Sequence, residues 1–233
     1  MDLKEAGNLT LAAYESIKDM MFNYDLVPGQ RLVFVDLAKQ LGVSRTPVNN
    51  ALSILAKEGY LDFVPHQGYK VHKLTLEELE SLYEIREILE LGTIGKAIRQ
   101  MTEGDLALLE SKKKEYKQSV TNQVQRKQFI LDTEFHATII NILGNQILVE
   151  RYRDLCQKIF LRFRIEDLRI TRINEIVEEH NEFFEAVRMR DVERAKELIR
   201  KHNQHARQNL LAHIFKDEPR SNGLLQNGQS LNG

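Results

Sequence analysis

Residues 41–59, LGVSRTPVNNALSILAKEG, constrain this chain more than any other stretch of it. Gly42 and Val43 read as a tight turn. Ser44 reads as the N-cap of a helix, its hydroxyl able to accept one of the first-turn N–H groups. Arg45 and Thr46 follow, and Pro47 is compatible with a first turn, whose N–H groups have no helical partner. Ala51, Leu52, Leu55 and Ala56 recur at helical spacing and give the helix one apolar back, and Gly59 ends the run. A helix buried along its back and polar at its N-terminal tip suits insertion into a DNA groove.

The flanks complete a domain around it. A first helix is expected over 10–24, with Leu11, Tyr14, Ile17, Met20 and Met21 on its apolar face. Val27-Pro28-Gly29-Gln30 is a turn, and a short second helix is expected over 35–41. Residues 60–64 and 69–72 read as two strands around Pro65-His66-Gln67-Gly68, a hairpin tip. Three helices and a hairpin make a winged helix-turn-helix over residues 1–74. From Thr75 the pattern changes. Thr75-Leu76-Glu77-Glu78 is a capping box, and helices are expected over 76–100, 103–119, 124–143, 145–165, 172–189 and 191–215, with Thr102 and Asp191 as caps. Residues 75–216 therefore read as an antiparallel all-helical bundle, and the fold class as mainly α. The Asn/Gly/Ser/Gln-rich tail, 217–233, reads as disordered.

Composition narrows the function. At 42% hydrophobic residues, the 233-residue chain can build real cores. No apolar run approaches the ~18 residues of a membrane span, and the N-terminus lacks the pattern of a signal peptide. A single cysteine, Cys156, excludes an internal disulfide framework and suits a reducing cytoplasm; Leu155, Ile159 and Phe160 around it suggest a buried thiol. Net charge is −1, and residues 1–75 hold eight Lys/Arg against eight Asp/Glu. DNA binding must then rest on a local cluster rather than on a general positive field.

LVPGQRL, then DLAKQLGVSRTPVNNALSILAKEGYL, then PHQGYKV resembles the winged-helix domain of GntR-type bacterial transcription regulators. The helical remainder resembles the FCD ligand-sensing domain of the FadR-like subgroup, through YEIREILE, LDTEFH and EEHNEFFEAVRMRDVERAKELIRKH. The resemblance implies a homodimer whose two winged heads bind a pseudo-palindromic double-stranded DNA operator. It also implies a small metabolite in the helical domain that controls that binding, with repression the simplest mode. The family's usual Arg-Glu pair is replaced here by Asn49-Asn50, and Val35 stands where the family often has a basic or small polar residue. Asn pairs in bidentate fashion with adenine, so an operator less dependent on the usual guanine contact is expected.

Arg45 is the leading DNA-contact candidate, with Ser44 and Thr46 beside it and Asn49 one turn on. Gln67 and Gly68 at the hairpin tip, together with His66 or Lys70, are candidates for the sugar-phosphate backbone. In the helical part, Asp132 and His136 are four apart on one helix and project from one face. His180 lies 11 residues before the Asp191 turn and His202 11 after it, so the two imidazoles are expected at matching heights. One carboxylate and three imidazoles suit a divalent ion, zinc first, with nickel or manganese as alternatives; the family's metal-binding members use the same Asp, His, His, His order. His205 and His213 read as surface residues. The resemblance places Arg86 on the family's pocket helix as a clamp for an effector carboxylate, with Glu90 offering it a structural partner instead. Arg162 and Arg164 are weaker candidates. A metal-dependent hydrolase or lyase is the alternative function, although no HExxH pair or accompanying acid-base residue stands at a motif spacing.

Overall fold

In the computed structural model, which describes residues 3–121, 123–163 and 170–214, the chain begins with helix α1, Leu3–Phe22. It starts earlier than expected and stops two residues sooner. Ala13, Ile17, Met20 and Met21 are its buried residues, whereas Leu11 is 57% exposed. At 3.6 residues per turn Leu11 falls on the far side of the helix from that line. Strand β1 (Arg31–Leu32), helices α2 (Phe34–Leu41) and α3 (Arg45–Lys57), and strands β2 (Leu61–Val64) and β3 (Gly68–Val71) follow.

Helix α3 buries Pro47, Val48, Ala51, Leu52 and Leu55 and packs on α1. Ser44 does occupy the N-cap with an extended backbone, but its side chain makes no capping hydrogen bond. The usual donors to a cap are the N–H groups of the second and third helical residues. Here the third is Pro47, which has none. Strand β1 has no counterpart in the expected elements, because two residues carry no readable period. It pairs antiparallel with β3 (Arg31↔Lys70, Leu32↔Tyr69), giving a sheet of order β1-β3-β2. At the hairpin tip His66 and Gly68 take left-handed φ values of 63° and 84°. Arg31 braces that tip, its Nε donating to the Gln67 carbonyl at 2.9 Å.

Six helices follow: α4 (Leu76–Gln100), α5 (Glu103–Ser119), α6 (Arg126–Asn141), α7 (Gln146–Phe160), α8 (Ile170–Arg188) and α9 (Val192–Ile214). Their starts are the ones that local chemistry dictates. Thr75 and Thr102 form complete capping boxes with Glu78 and Asp105, and Asp191 accepts from the Arg194 N–H at 2.9 Å. Helix α7 stops at Phe160 rather than 165. Arg164, the His213 side chain and the tail 217–233 lie outside the described residues. Helix α4 packs on α6, α7 and α9, α5 on α6 and α8, and α8 on α9. The fold is mainly helical, as expected.

The first three helices and the bundle share a core. Ile17, Leu52, Leu55 and Tyr60 pack in one cluster with Ile159, Phe160 and Phe163 from the end of α7 and beyond. Polar ties reinforce it. The buried Tyr60 hydroxyl donates to Asp154 at 2.8 Å, Lys18 donates to Gln157 at 2.8 Å, and Arg162 donates to the Gly59 carbonyl. Arg162, a weaker effector candidate, thus belongs to this junction and is buried, with Glu78 3.9 Å from its guanidinium. Cys156 is also buried, and burial pushes its thiol up to about 11.

Gly59 sits at φ 80°, and an added Cβ would meet the Arg162 guanidinium at 2.9 Å. Gly59→Ala is expected to lower the unfolding free energy by about 1–2 kcal/mol, the usual cost of a left-handed non-glycine residue. Gly92, inside α4 with nothing within 4 Å of a Cβ, should respond in the opposite direction. Gly92→Ala should stabilise by about 0.5–1 kcal/mol through helix propensity. Urea denaturation of both variants measures the pair.

Candidate functional site

The centre of the bundle is polar where a helix bundle is ordinarily apolar. Helix α4 buries Arg86 and Glu90 alongside Leu79, Tyr83 and Ile94. Helix α6 brings in Asp132 and His136, α8 brings His180 and α9 brings His202, all four side chains buried. One ligand atom from each of these four lies within 4.8 Å of every other. The expected matching heights of His180 and His202 are realised, with ring centroids 5.6 Å apart.

Asp132 is the hub. Its Oδ1 lies 3.1 Å from His180 Nε2, 3.4 Å from His202 Nε2 and 3.7 Å from His136 Nε2. Its Oδ2 accepts from Arg86 Nη2 at 3.1 Å. Arg86 also donates through Nε to Glu90 at 3.1 Å. Glu90 further accepts from the Tyr152 hydroxyl at 2.5 Å and from Asn203 Nδ2 at 2.6 Å. Both nitrogens of His136, Nδ1 of His180 and Nε2 of His202 are buried without a hydrogen-bond partner. Buried polar atoms left unsatisfied are costly and rare. His136 Nε2 and His202 Nε2 face the Asp132 oxygen beside His180 Nε2, and the carboxylate with these three imidazoles forms a donor set that fits a divalent cation.

The electrostatics sort the ligands. Burial alone would raise the Asp132 carboxyl, but the charges of His202 and Arg86 and the imidazole hydrogen bonds hold it well below the usual range. Burial pushes His136 down to about 3 and lowers His180 as well, so both are neutral at physiological pH. His202 behaves oppositely. Burial would lower it, but Asp132 and Glu179 outweigh that and raise it.

For Arg86 the structure realises the structural alternative, the Glu90 pair, and adds Asp132. The Arg86 guanidinium, expected to clamp an effector, is occupied by the protein's own Asp132 and Glu90. His205, expected on the surface, is half-buried and donates to Glu179 at 2.7 Å. Glu179, Tyr152 and Asn203 were missed altogether. Glu179 had one signal, its place directly before His180 in EEH. Beside the centre, α4 and α9 border an open cavity of about 510 Å³ whose lining includes Tyr83, Asn203, Arg200 and Arg207 and the carboxylates Glu80, Glu84 and Glu87. Asn203 links it to the buried network, and its Oδ1 is buried without a partner.

At the other end of the molecule, Ser44, Arg45, Thr46, Asn49 and Asn50 are all exposed around the start of α3. His66, Gln67 and Lys70 are exposed at the hairpin, with Gly68 half-buried between them. Val35 is 39% exposed on α2. These residues and the metal-type cluster sit in different parts of the chain and share no side-chain contact among the described residues.

A winged helix-turn-helix joined to such a bundle is the architecture of a DNA-binding regulator. Residues 9–71 match the model of bacterial regulatory proteins of the gntR family, and residues 81–205 match the FCD domain. The HTH-type regulator YdhC of Bacillus subtilis is 30% identical over 89% of this chain and 92% of its own length. The HTH-type regulator McbR of Escherichia coli is 27% identical over 80% of this chain and 85% of its own. A solved structure of E. coli McbR/YncC superposes with a TM-score of 0.72 at 26% identity, covering 85% of this chain and 94% of that one. The chain belongs to the GntR family of bacterial transcription regulators and carries an FCD domain. Its relatives are regulators and not enzymes, which sets the hydrolase or lyase alternative aside. No helix among the described residues is long and apolar enough to cross a membrane.

Arg86→Met should destabilise the metal-free protein by about 3–5 kcal/mol, because it strands two buried carboxylates without their cation. Chemical denaturation decides the point. Unchanged stability would free Arg86 for the ligand role instead.

Proposed function

We propose that this regulator is a homodimeric repressor whose operator affinity is set by a small carboxylate-type metabolite held at a divalent metal in the helical domain. The observation that carries the reading is the convergence of three buried imidazoles on Asp132 Oδ1, two of whose facing nitrogens, His136 Nε2 and His202 Nε2, have no hydrogen-bond partner. Asp132, His136, His180 and His202 would hold the metal, zinc fitting the mixed N/O set best and nickel or manganese being alternatives. Four protein ligands leave positions open on an ion of higher coordination number, and an anionic effector fills such a position.

On the output side, Ser44, Arg45, Thr46 and Asn49 would enter the major groove, with His66, Gln67 and Gly68 on the adjacent backbone. The uncapped first turn of α3 supports this. Pro47 leaves the Ser44 hydroxyl without a capping bond, so it stands exposed beside helix N–H groups suited to phosphate. A protein acting on chromosomal operators works in the cytoplasm.

Two variants separate the two ends. Arg45→Ala should abolish operator binding in a gel-shift assay while zinc content stays at the wild-type level. His180→Ala should lose zinc and effector response but keep DNA binding. Equal damage to both functions by both variants would sink the division of labour.

The metal reading also carries a pH dependence. A ligating imidazole must be neutral, and His136 and His180 already are. His202, with its pKa raised above 6.5, must lose a proton to bind. Apparent zinc affinity should therefore fall about tenfold per pH unit as pH drops below the His202 pKa, and level off above it. Chelator competition across pH 5.5–8.5, on the order of three units, measures the slope, and a flat profile would contradict it.

A further inference from the structure

Glu179 belongs to neither the ligand set nor the Arg86–Glu90 network, yet it is the most completely satisfied carboxylate near the centre. Its Oε1 accepts from Arg172 Nη1 at 2.8 Å and from His205 Nδ1 at 2.7 Å. Its Oε2 accepts from Arg172 Nη2 at 2.7 Å and from His202 Nδ1 at 2.8 Å. A carboxylate offers about four lone-pair sites, and all of them are in use. Arg172 is itself buried, and the two-pronged contact leaves Glu179 little freedom to turn.

That arrangement decides which end of His202 faces Asp132. With Nδ1 committed as donor to Glu179, the opposite nitrogen, Nε2, is directed toward Asp132 Oδ1 at 3.4 Å and has no hydrogen-bond partner. The other two imidazoles have no comparable hold among the described residues. His180 Nδ1 is unpartnered, and His136 Nδ1 lies 3.6 Å from Glu90 without a hydrogen bond. Resting on the metal reading above, we infer that Glu179, held by Arg172, is the positioning residue that fixes the ring and tautomer of His202 for the metal. His205 shares the same carboxylate from the outer side, where its side chain is 38% exposed.

Hydrogen-bonded partners of this kind orient a ligating histidine and raise its basicity. Glu179→Gln keeps the shape but loses the charge. Whichever way its amide turns, the N–H₂ then faces two donors, Arg172 with His205 or Arg172 with His202. Zinc affinity of the full chain, measured by competition with a chromophoric chelator, should fall about 10–100-fold in this variant. Glu179→Asp, which restores the charge, should recover most of the loss. His205→Ala, which leaves the His202 bond in place, should cost far less than Glu179→Gln.

A second measurement needs no variant. In the zinc-loaded wild type, long-range ¹H–¹⁵N spectra of the histidine side chains should show His202 with its proton on Nδ1 and the metal on Nε2. Metal on Nδ1 of His202, or wild-type zinc affinity in Glu179→Gln, would overturn the inference. A wild-type chain that takes up no zinc overturns the metal reading as well. That result is distinguishable from the others because it appears before any substitution is made.

Discussion

Every helix of the bundle answers to one ionised carboxylate. A lone buried carboxylate costs several kcal/mol in desolvation, so Asp132 persists only because charge and hydrogen bonds reach it from all sides. Arg86 on α4 takes one oxygen, and His180 on α8 and His202 on α9 meet the other. Tyr152 on α7 secures Glu90, which holds Arg86. Even α5 contributes, with Tyr116 edge-on to the His180 ring at 4.9 Å, while Phe135 stacks on the same ring at 4.1 Å. The rings are therefore held from behind by apolar and aromatic packing while their nitrogens point inward. Such a network specifies one arrangement of helices, because each partner left unsatisfied at low dielectric is expensive.

Helix α7 connects this centre to the winged head. Tyr152 faces the Glu90 network, and two residues later Asp154 accepts from the buried Tyr60 hydroxyl. Gln157 receives Lys18 of α1, and Ile159 and Phe160 enter the core that α1 and α3 share. The loop beyond Phe160 returns through Arg162 to Gly59, directly behind α3. One helix thus touches both the polar centre and the core behind α3. A shift of α7 by a fraction of a turn would have to move both, since packed cores deform in steps rather than continuously.

The helical pattern was legible because it rests on local rules. Capping boxes at Thr75 and Thr102, the Asp191 cap and helical spacing in α3 placed element starts within a few residues. Even the metal-type cluster was legible, since the Asp-x-x-x-His step puts two groups on one face of α6 and the symmetric offsets about Asp191 put two more level on α8 and α9. Strand β1 was not, because a two-residue strand exists only through its pairing with β3. The missing Ser44 capping bond could in principle have been read from the sequence, since Pro47 supplies no N–H.

What the sequence determined by itself was the class of fold, through periodicity and capping, and the family and the four converging side chains, through motifs that resemble the family's together with their spacing. Tertiary structure alone decided which groups meet across helices. Arg86 pairs with Asp132 across 46 positions, Tyr152 with Glu90 across 62 and His202 with Glu179 across 23. Those choices depend on which helix faces are buried together. Within the desolvated interior a charge needs neutralising partners on every side, so Arg86 keeps its local partner Glu90 and adds Asp132 from another helix.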